Sequence, residues 1–422
     1  MSRTSGKGVY LSPEHRLMHT WAVGATGAGK TASGVMPAVR SDILEGGPVM
    51  LVDGKGDRET VDELWSYVKE AGREKDFRYL HLADPEASQT YSPLVHGTAT
   101  EQKDKLIAAF DWSEPHYKKR AEEVLLRILN GLKDAARPYT LADVHAVLDD
   151  RNALDQLAQR TPTKQIREGL QRIAGEWDQV RRDTTGLRTD LGLICESEFG
   201  KLFARAEPEI DLLKAYQAGH VVYMGLPTLQ YEETAVRLAR IILQDLKTVA
   251  AYVQTKLSES ERRFMGVVID EFASFAFPQF AEFLGKARGA GMALLLSHQS
   301  LSGDLKKSGE AFFAQVVANT NVKLCLRQDN PDDAEAFARI AGTYTTWKET
   351  VQTEVDLLGD AATGMKSKRE VEEFYISPNV VKQLRRGEAG LVIKHPAFYV
   401  DVVQLDYPQP KARVAFAPPW RA

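Results

Sequence analysis

Apolar residues along this chain gather in short continuous runs, and segments of helical periodicity separate many of these runs. The clearest runs lie at 19–24, 48–57, 77–85, 219–229, 262–272, 291–300 and 321–329. Short unbroken apolar runs are typical of strands buried on both faces of a parallel sheet, with crossover helices between them. The pattern therefore predicts an α/β fold around a mainly parallel central sheet.

The segment 97–196 has a different pattern, because none of it has the character of a strand. Its apolar residues instead recur at helical spacing, as in Val124, Leu125 and Ile128. We interpret this segment as an all-α domain inserted into an α/β domain. The α/β domain then comprises residues 1–96 and 197–422.

Three local features complete the predicted elements. Pro37 lies inside the helical pattern that follows the first apolar run, so a kink is expected there. The sequence at 389–405 predicts a β-hairpin. The stretch 359–373 is rich in charged and small residues and predicts a flexible, charged loop.

Net charge, cysteine content and the length of the apolar runs limit the kinds of partner and the cellular compartment that the sequence suits. Lys and Arg total 54 against 58 Asp and Glu, a net charge of −4, so any nucleic-acid binding would have to come from a local basic surface. Cys195 and Cys325 lie in apolar surroundings without CxxC or Cys/His spacing, which favours buried, reduced thiols and a cytoplasmic compartment. Every apolar run is far shorter than the ~20 residues of a membrane helix, so we expect a soluble protein.

A glycine-rich turn joins the first apolar run to the helix after it. The sequence GATGAGKT fits the P-loop pattern GxxxxGK[ST] and comprises Gly24, Ala25, Thr26, Gly27, Ala28, Gly29, Lys30 and Thr31. In this pattern backbone N–H groups surround phosphates, the lysine reaches the terminal phosphates and the threonine hydroxyl binds Mg²⁺. The predicted strand before the turn and helix after it make an ordinary glycine turn the weaker interpretation.

The run at 262–272 ends in two carboxylates, Asp270 and Glu271, within VVIDEF. At such a strand end one carboxylate holds Mg²⁺ and the second deprotonates an attacking water. Two merely solvated acidic residues are the alternative, which the P-loop upstream disfavours. We therefore assign Thr31 and Asp270 to Mg²⁺ and Glu271 to catalysis, with ATP and Mg²⁺ as the cofactors of a hydrolase.

Gln299 and Arg288 are two further candidate catalytic residues, for which a non-catalytic interpretation stays open. Gln299 follows the run MALLLSH, where it is placed to contact a γ-phosphate or a water. The alternative is a glutamine that only hydrogen-bonds a neighbouring loop. Arg288 lies between glycines before the same run, and it is either a finger that reaches the nucleotide of an adjoining subunit or a solvated surface arginine.

At these motifs the chain resembles the type IV coupling proteins of conjugation and type IV secretion, which are TraG/TraD-like members of the FtsK/HerA group of hexameric RecA-like motors. The similarity covers most of the chain, in the family's order: HTWAVGATGAGKTASGVMPAV, VMLVDGKGD, LADPEASQTYSPL, VVIDEFASF and KARGAGMALLLSHQSLSGD. It implies a RecA-like P-loop domain with a helical insertion. It also implies that Asp270 and Glu271 form the Walker B pair, that Gln299 senses the γ-phosphate and that Arg288 acts in trans.

The resemblance implies an ATPase that translocates DNA with weak sequence specificity and feeds relaxase-bound DNA to a secretion channel. Expected partners are DNA, relaxase, relaxosome or effector proteins, channel ATPases, inner-membrane components and further copies in a homo-hexamer, with a monomer as the alternative in isolation. Family members usually begin with transmembrane helices that this sequence does not contain. We expect a cytoplasmic protein held at the bacterial inner membrane by a missing anchor or a partner. Two alternative functions stay open, a substrate receptor that uses ATP as an assembly switch and a motor for chromosome handling or repair.

Overall fold

A computed structural model of the chain describes residues 1–301, 303–356, 359–407 and 409–421. The strands are β1 (Thr20–Val23), β2 (Val49–Asp53), β3 (Phe77–His81), β4 (Val221–Gly225), β5 (Met265–Asp270), β6 (Met292–His298), β7 (Val322–Cys325), β8 (Thr343–Asp356), β9 (Gly359–Phe374), β10 (Glu388–Ile393) and β11 (Tyr399–Gln404). The α-helices are α1 (Pro13–Leu17), α2 (Met36–Leu44), α3 (Arg58–Glu70), α4 (Ala99–Ala109), α5 (Pro115–Asp134), α6 (Leu141–Asp149), α7 (Arg151–Arg160), α8 (Lys164–Gly175), α9 (Trp177–Asp183), α10 (Thr185–Cys195), α11 (Leu212–Ala218), α12 (Thr228–Lys256), α13 (Phe272–Phe275), α14 (Phe280–Lys286), α15 (Glu310–Asn319), α16 (Pro331–Ala341) and α17 (Pro378–Gln383).

One large sheet forms the centre of the molecule. Within the described residues its nine strands follow the order β11-β10-β7-β1-β6-β5-β2-β4-β3. The strands from β7 to β3 in this order pair in parallel, whereas β10 is antiparallel to both of its neighbours. Every residue of β1, β2, β4, β5 and β6 is buried, because packing covers both faces of the sheet. The prediction of an α/β fold with a mainly parallel sheet is confirmed.

The order of the strands sets the position of the P-loop. Strand β1 lies between β6 and β7, and its Trp21 is opposite Leu296 on one side and Lys323 on the other. Both neighbours come from far along the chain. Because all three strands run parallel, the turns after β1, β6 and β7 meet at the carboxyl ends of the strands. The crevice outside the carboxyl ends of parallel strands is the usual position of ligands in such folds.

Helices α4 to α11 lie between β3 and β4, and α4 to α10 fall within residues 97–196. The predicted stripe of Val124, Leu125 and Ile128 is buried in α5, and no strand forms within the described residues 97–196. Helix α4 begins at a capping box in which the Thr98 hydroxyl accepts from the Glu101 N–H. A helical segment at this position is confirmed, while its limits as a separate domain stay a prediction.

A buried polar cluster joins the helical segment to the α/β part. The Lys105 ammonium on α4 donates hydrogen bonds to Asp245 on α12 and to the carbonyl of Pro93. Tyr91 donates a 2.7 Å hydrogen bond to the other oxygen of Asp245. All of these side chains are buried, so each polar group depends on the others for its hydrogen bonds.

The C-terminal hairpin is confirmed as β10 and β11, but the prediction of a flexible loop at 359–373 is wrong. This stretch forms most of β9, which pairs antiparallel with β8 from Thr343 opposite Phe374 onward. The β8 sequence is rich in β-branched and aromatic residues, which favour a strand, and this strand is the hydrogen-bonding partner of β9. Charged residues are accommodated because they form cross-strand ion pairs, such as Lys348 with Glu373 at 2.6 Å.

The remaining expectations concern membranes and thiols. Across the described ranges, no helix has both the length and the apolar character that crossing a membrane requires. Neither cysteine is in a disulfide. Cys325 is buried as expected, whereas Cys195 is only partly buried, and burial raises the pKa of the Cys195 thiol to about 12.

Candidate nucleotide site

The glycine-rich turn runs from the end of β1 across the carboxyl edge of the sheet. The Gly24 N–H donates to the carbonyl of His298, and the Ala25 N–H donates to the carbonyl of Arg327. These bonds fix the start of the turn to β6 and to the chain after β7. Gly29 has φ +90°, a left-handed conformation that favours glycine, and Lys30 follows it directly.

The helix after the turn begins with a wide π-helical segment, Lys30–Val35. Here the Met36 N–H donates to the carbonyl of Thr31, five residues back. Helix α2 starts at Met36 and continues from this segment, so Pro37 lies in its first turn. The change of helical form therefore occurs just before the proline at which the sequence predicts a kink.

Lys30 is buried beneath the turn, with 6% of its side chain exposed. Its Nζ lies 3.8 Å from Oε1 of Glu271. Burial lowers the pKa of the Lys30 ammonium, and the nearby carboxylates of Glu271 and Asp270 oppose this effect.

Thr31 and Asp270 are in direct contact, although 239 positions separate them in the chain. The Thr31 hydroxyl donates a 2.8 Å hydrogen bond to Oδ2 of Asp270. The other oxygen, Oδ1, accepts a 2.7 Å bond from the Ser297 hydroxyl at the end of β6. Both Ser297 and Asp270 are buried, so the carboxylate is held with one oxygen facing the P-loop.

The Thr31 and Asp270 oxygens fit a magnesium ion. Mg²⁺ prefers hard oxygen ligands such as these hydroxyl and carboxylate groups. Lys55 Nζ lies 3.2 Å from Thr31 Oγ1 and 3.8 Å from Asp270 Oδ2, so a cationic group of the protein lies beside both oxygens.

Glu271 lies just beyond Asp270, where the chain turns sharply from β5 into α13. Its φ of 57° is unusual for a residue with a side chain, and such backbone strain is concentrated at functional sites. The Glu271 carboxylate accepts hydrogen bonds of 3.2 and 3.3 Å from the Gln299 amide. Gln299 also accepts a 3.0 Å bond from the hydroxyl of Thr26 in the P-loop.

The structure thus brings the P-loop, Asp270, Glu271 and Gln299 to one place. A cavity of about 310 Å³ lies there and is lined by Ala25, Thr26, Gly27, Gly29, Lys30, Thr31, Ala32, Lys55, Glu271, Gln299 and Arg386.

Arg288, a predicted site residue, lies far from this cavity. It is exposed on a short 3₁₀ turn, Ala287–Ala290, which directly precedes β6. Since the P-loop contacts the far end of the same seven-residue strand, roughly 20 Å of strand separates the two. Within this chain Arg288 lies at the opposite edge of the sheet.

Two site residues in the sequence DGKGD, Asp53 and Lys55, were missed by the sequence reasoning. Lys55 Nζ lies 3.2 Å from Oε1 of Glu271. Burial lowers the pKa of Lys55, but Asp270 and Glu271 together raise it above its ordinary value. The detectable signal was their position directly after a buried strand, the same signal that identified Asp270.

Asp53 ends β2 directly beside Asp270 at the end of β5. It accepts a 2.8 Å hydrogen bond from the Tyr223 hydroxyl and a 2.9 Å bond from the Lys55 N–H. Burial, with a further contribution from the charge of Asp270, raises the pKa of Asp53 to about 6. The site therefore contains a third carboxyl group that holds its proton more tightly than a solvated aspartate.

Comparison with known proteins gives matches from one group. Residues 265–386 match the family model described as the TraM recognition site of TraD and TraG. The type 4 coupling protein DotL of Legionella pneumophila subsp. pneumophila is 21% identical over 455 residues, which cover 93% of this chain and 58% of DotL. The chain thus spans about 58% of the length of this curated relative.

Solved structures share the fold at low sequence identity. The bacterial conjugative coupling protein TrwB, in its unbound monoclinic form lacking 70 N-terminal residues, is 16% identical with a TM-score of 0.67, covering 96% of this chain and 88% of that chain. TrwB in complex with ADP and Mg²⁺ gives 16% identity and a TM-score of 0.66, with 97% and 89% covered. The family model, the curated relative and the shared fold agree, and the group to which this chain is similar is the type IV coupling proteins.

Proposed function

We propose that this protein is the coupling ATPase of a type IV secretion or conjugation system, which hydrolyses ATP to move DNA toward a secretion channel. The observation that carries the proposal is the junction of the P-loop with the ends of β5 and β6. There the Thr31–Asp270 pair and the Glu271–Gln299 pair lie side by side at one cavity. The first pair suits a metal-bound nucleotide, and the second suits the water that attacks it.

Each residue has a chemical role in this proposal. Lys30 and the backbone N–H groups of residues 24–31 bind the β- and γ-phosphates of ATP, and Thr31 and Asp270 hold Mg²⁺, which neutralises phosphate charge. Glu271 accepts a proton from water as the water oxygen forms a bond to the γ-phosphorus. The bond between that phosphorus and the β–γ bridging oxygen breaks, and ADP leaves. Gln299, already bonded to Glu271, orients the water.

Arg288 is proposed to act on the nucleotide of a neighbouring copy. Its exposure at the edge opposite its own P-loop suits a ring in which this edge of one subunit faces the P-loop edge of the next. A planar guanidinium at that junction would stabilise transition-state charge. A homo-hexamer is the proposed assembly.

The proposed partners follow from the family. TrwB is described as a conjugative and plasmid coupling protein, DotL as a type 4 coupling protein, and the matched model as a TraM recognition site. We propose that this chain recognises relaxosome or effector proteins, and that it acts at the cytoplasmic face of the inner membrane beside channel components. DNA contact would be weakly sequence-specific, since phosphates are the same in every sequence.

The test is the ATPase rate of the full chain as a function of protein concentration, with and without single- and double-stranded DNA. We expect the rate to rise steeply with concentration and with DNA, and to collapse in both Lys30→Ala and Arg288→Ala. Lys286→Ala is the matched control, because it removes an exposed cation two residues away from Arg288 on the same edge. The control should keep the wild-type rate.

A second function, a substrate receptor that uses ATP as an assembly switch, has one observation in its favour. The family model that matches residues 265–386 is described as a recognition site for a protein, TraM. Under this function the ATPase rate would be low and indifferent to both DNA and Arg288→Ala, while nucleotide would still promote assembly. That result would overturn the motor proposal.

A further inference from the structure

The turn between α17 and β10 contacts the P-loop, although the two are far apart in the sequence. This turn comprises residues 384–387 and is anchored by the buried side chain of Leu384. The Gly387 N–H lies 3.5 Å from the carbonyl oxygen of Ala28 in the P-loop, and Gly387 has φ +82°. A residue with a Cβ would be strained at this φ, so the glycine lets the chain pass close to the P-loop and then enter β10.

Arg386 extends from this turn across the P-loop backbone. A Cβ placed on Gly29 would lie 3.3 Å from Cγ and 3.7 Å from Nε of Arg386, so the arginine stem packs directly over that glycine. Arg386 is exposed and lines the cavity that Lys30 and Thr31 also line. Within the described part of the chain, no carboxylate or other acceptor makes a hydrogen bond or ion pair with its guanidinium. A positive charge is thus held at the mouth of the cavity without a protein partner.

The position of Arg386 indicates which part of a nucleotide it meets. Glu271 and Gln299 mark the end of the cavity at which the γ-phosphate is hydrolysed in the proposed function, and neither forms a hydrogen bond or ion pair with Arg386. The arginine instead covers Gly29, and a Cβ placed on that glycine would also lie 3.6 Å from Ser33 Oγ at the start of the helix. A nucleotide bound along this helix N-terminus therefore places its α- and β-phosphates, and not its γ-phosphate, near Gly29 and Arg386.

We infer that Arg386 is a further nucleotide-binding residue, which contacts the α- and β-phosphates of a nucleoside di- or triphosphate bound in the P-loop of the same chain. The inference rests on the proposed function, because it needs a nucleotide in this cavity. A guanidinium presents a planar set of donors that suits adjacent phosphate oxygens better than a lysine ammonium does. Arg386 therefore holds ADP as firmly as ATP and slows the release of the product.

The test is equilibrium binding of ADP and of a non-hydrolysable ATP analogue to the full chain, by titration calorimetry with Mg²⁺ present. For Arg386→Ala we expect about tenfold weaker binding of both nucleotides, the scale of one lost charge-assisted hydrogen bond. Arg386→Lys should recover part of the loss, since the charge remains but the paired donors do not. Arg385→Ala is the matched control, because it removes the same charge from the adjacent exposed residue, which does not line the cavity.

The outcomes separate the inference from the function on which it rests. If the wild type binds neither nucleotide, the proposed function fails and the inference fails with it. If the wild type binds both, Lys30→Ala loses them and Arg386→Ala binds as the wild type does, then only the inference fails. A loss of ATP-analogue binding with unchanged ADP binding would also overturn it, since that pattern places Arg386 at the γ-phosphate. Urea unfolding of each variant checks that the fold is retained.

Discussion

The hydroxyl of Thr31 donates a 2.8 Å hydrogen bond to Oδ2 of Asp270, which joins the P-loop to the end of strand β5. The contact forms because β6 alone separates β1 from β5 in the sheet, so their carboxyl ends lie close together. Asp270 is buried, and its second oxygen is bonded to Ser297 on the intervening strand. The proposed magnesium ligands are thus oriented by the sheet itself.

Ser297 is expected to tune magnesium affinity without touching the ion. Replacing it in Ser297→Ala removes the 2.7 Å bond to Oδ1 of Asp270 and leaves that oxygen only the 3.1 Å bond from the Glu271 N–H, so the carboxylate is held less firmly toward Thr31. Loss of such an outer partner of a metal ligand typically weakens metal binding about 10- to 100-fold. A magnesium titration of nucleotide binding would measure this change. An unchanged magnesium midpoint would show that the bond does not orient the ligand.

Glu271 is expected to serve hydrolysis and not nucleotide binding. Glu271→Gln keeps the shape and one of the two oxygens that accept from the Gln299 amide but removes the base, so the ATPase rate should fall about 100-fold or more. Binding of the ATP analogue should be retained. Glu310→Gln, which changes an exposed carboxylate far along the chain, is the control. Wild-type turnover by Glu271→Gln would exclude Glu271 as the base.

Asp53 is expected to make stability depend on pH. Its pKa rises from 3.8 to about 6 in the folded protein, mainly through burial and then through the charge of Asp270. Because the folded state binds the proton more tightly than the unfolded chain, this contribution to stability is fully present below pH 3.8. It is lost as the pH rises through about 6.

Asp53→Asn should therefore be more stable than the wild type at pH 8, by up to ~2 kcal/mol, and nearly equal to it at pH 4. Two pKa units correspond to about 2.7 kcal/mol, and the amide loses one of the two accepting oxygens. Urea unfolding at both pH values, with exposed Asp178→Asn as control, measures the difference. An equal difference at both pH values would show that Asp53 is not the titrating group.

Asp245 is expected to hold the helical segment against the α/β part. In Asp245→Ala the buried ammonium of Lys105 loses its carboxylate partner and the Tyr91 hydroxyl loses its acceptor. Removal of one partner of a buried ion pair typically costs about 3–5 kcal/mol. The free energy of unfolding from urea titration should fall by about this amount. Lys247→Ala, two residues along the same helix but more exposed, should change it by less than about 1 kcal/mol.

Much of the fold could be predicted because its signals are local. Strands buried on both faces require unbroken apolar runs, and β1, β5 and β6 lie inside the runs 19–24, 262–272 and 291–300. The ribbon of β8 and β9 could not be predicted in the same way. A charged strand such as β9 depends on a partner strand and on exposed cross-strand ion pairs, neither of which its own composition reveals.

The sequence by itself determined the P-loop and the acidic end of β5, because glycines with positive φ and a strand that ends in carboxylates are encoded within a few adjacent residues. Only the tertiary structure decided which further groups meet at the cavity. The site also contains Asp53, Lys55 and Ser297. They lie there because the carboxyl ends of parallel strands are neighbours in the sheet, and the order of the strands cannot be deduced from their order in the sequence. Arg386 comes from the turn before the antiparallel strand β10, and the parallel strands keep Arg288 at their amino-terminal ends, on the opposite side of the sheet from the cavity.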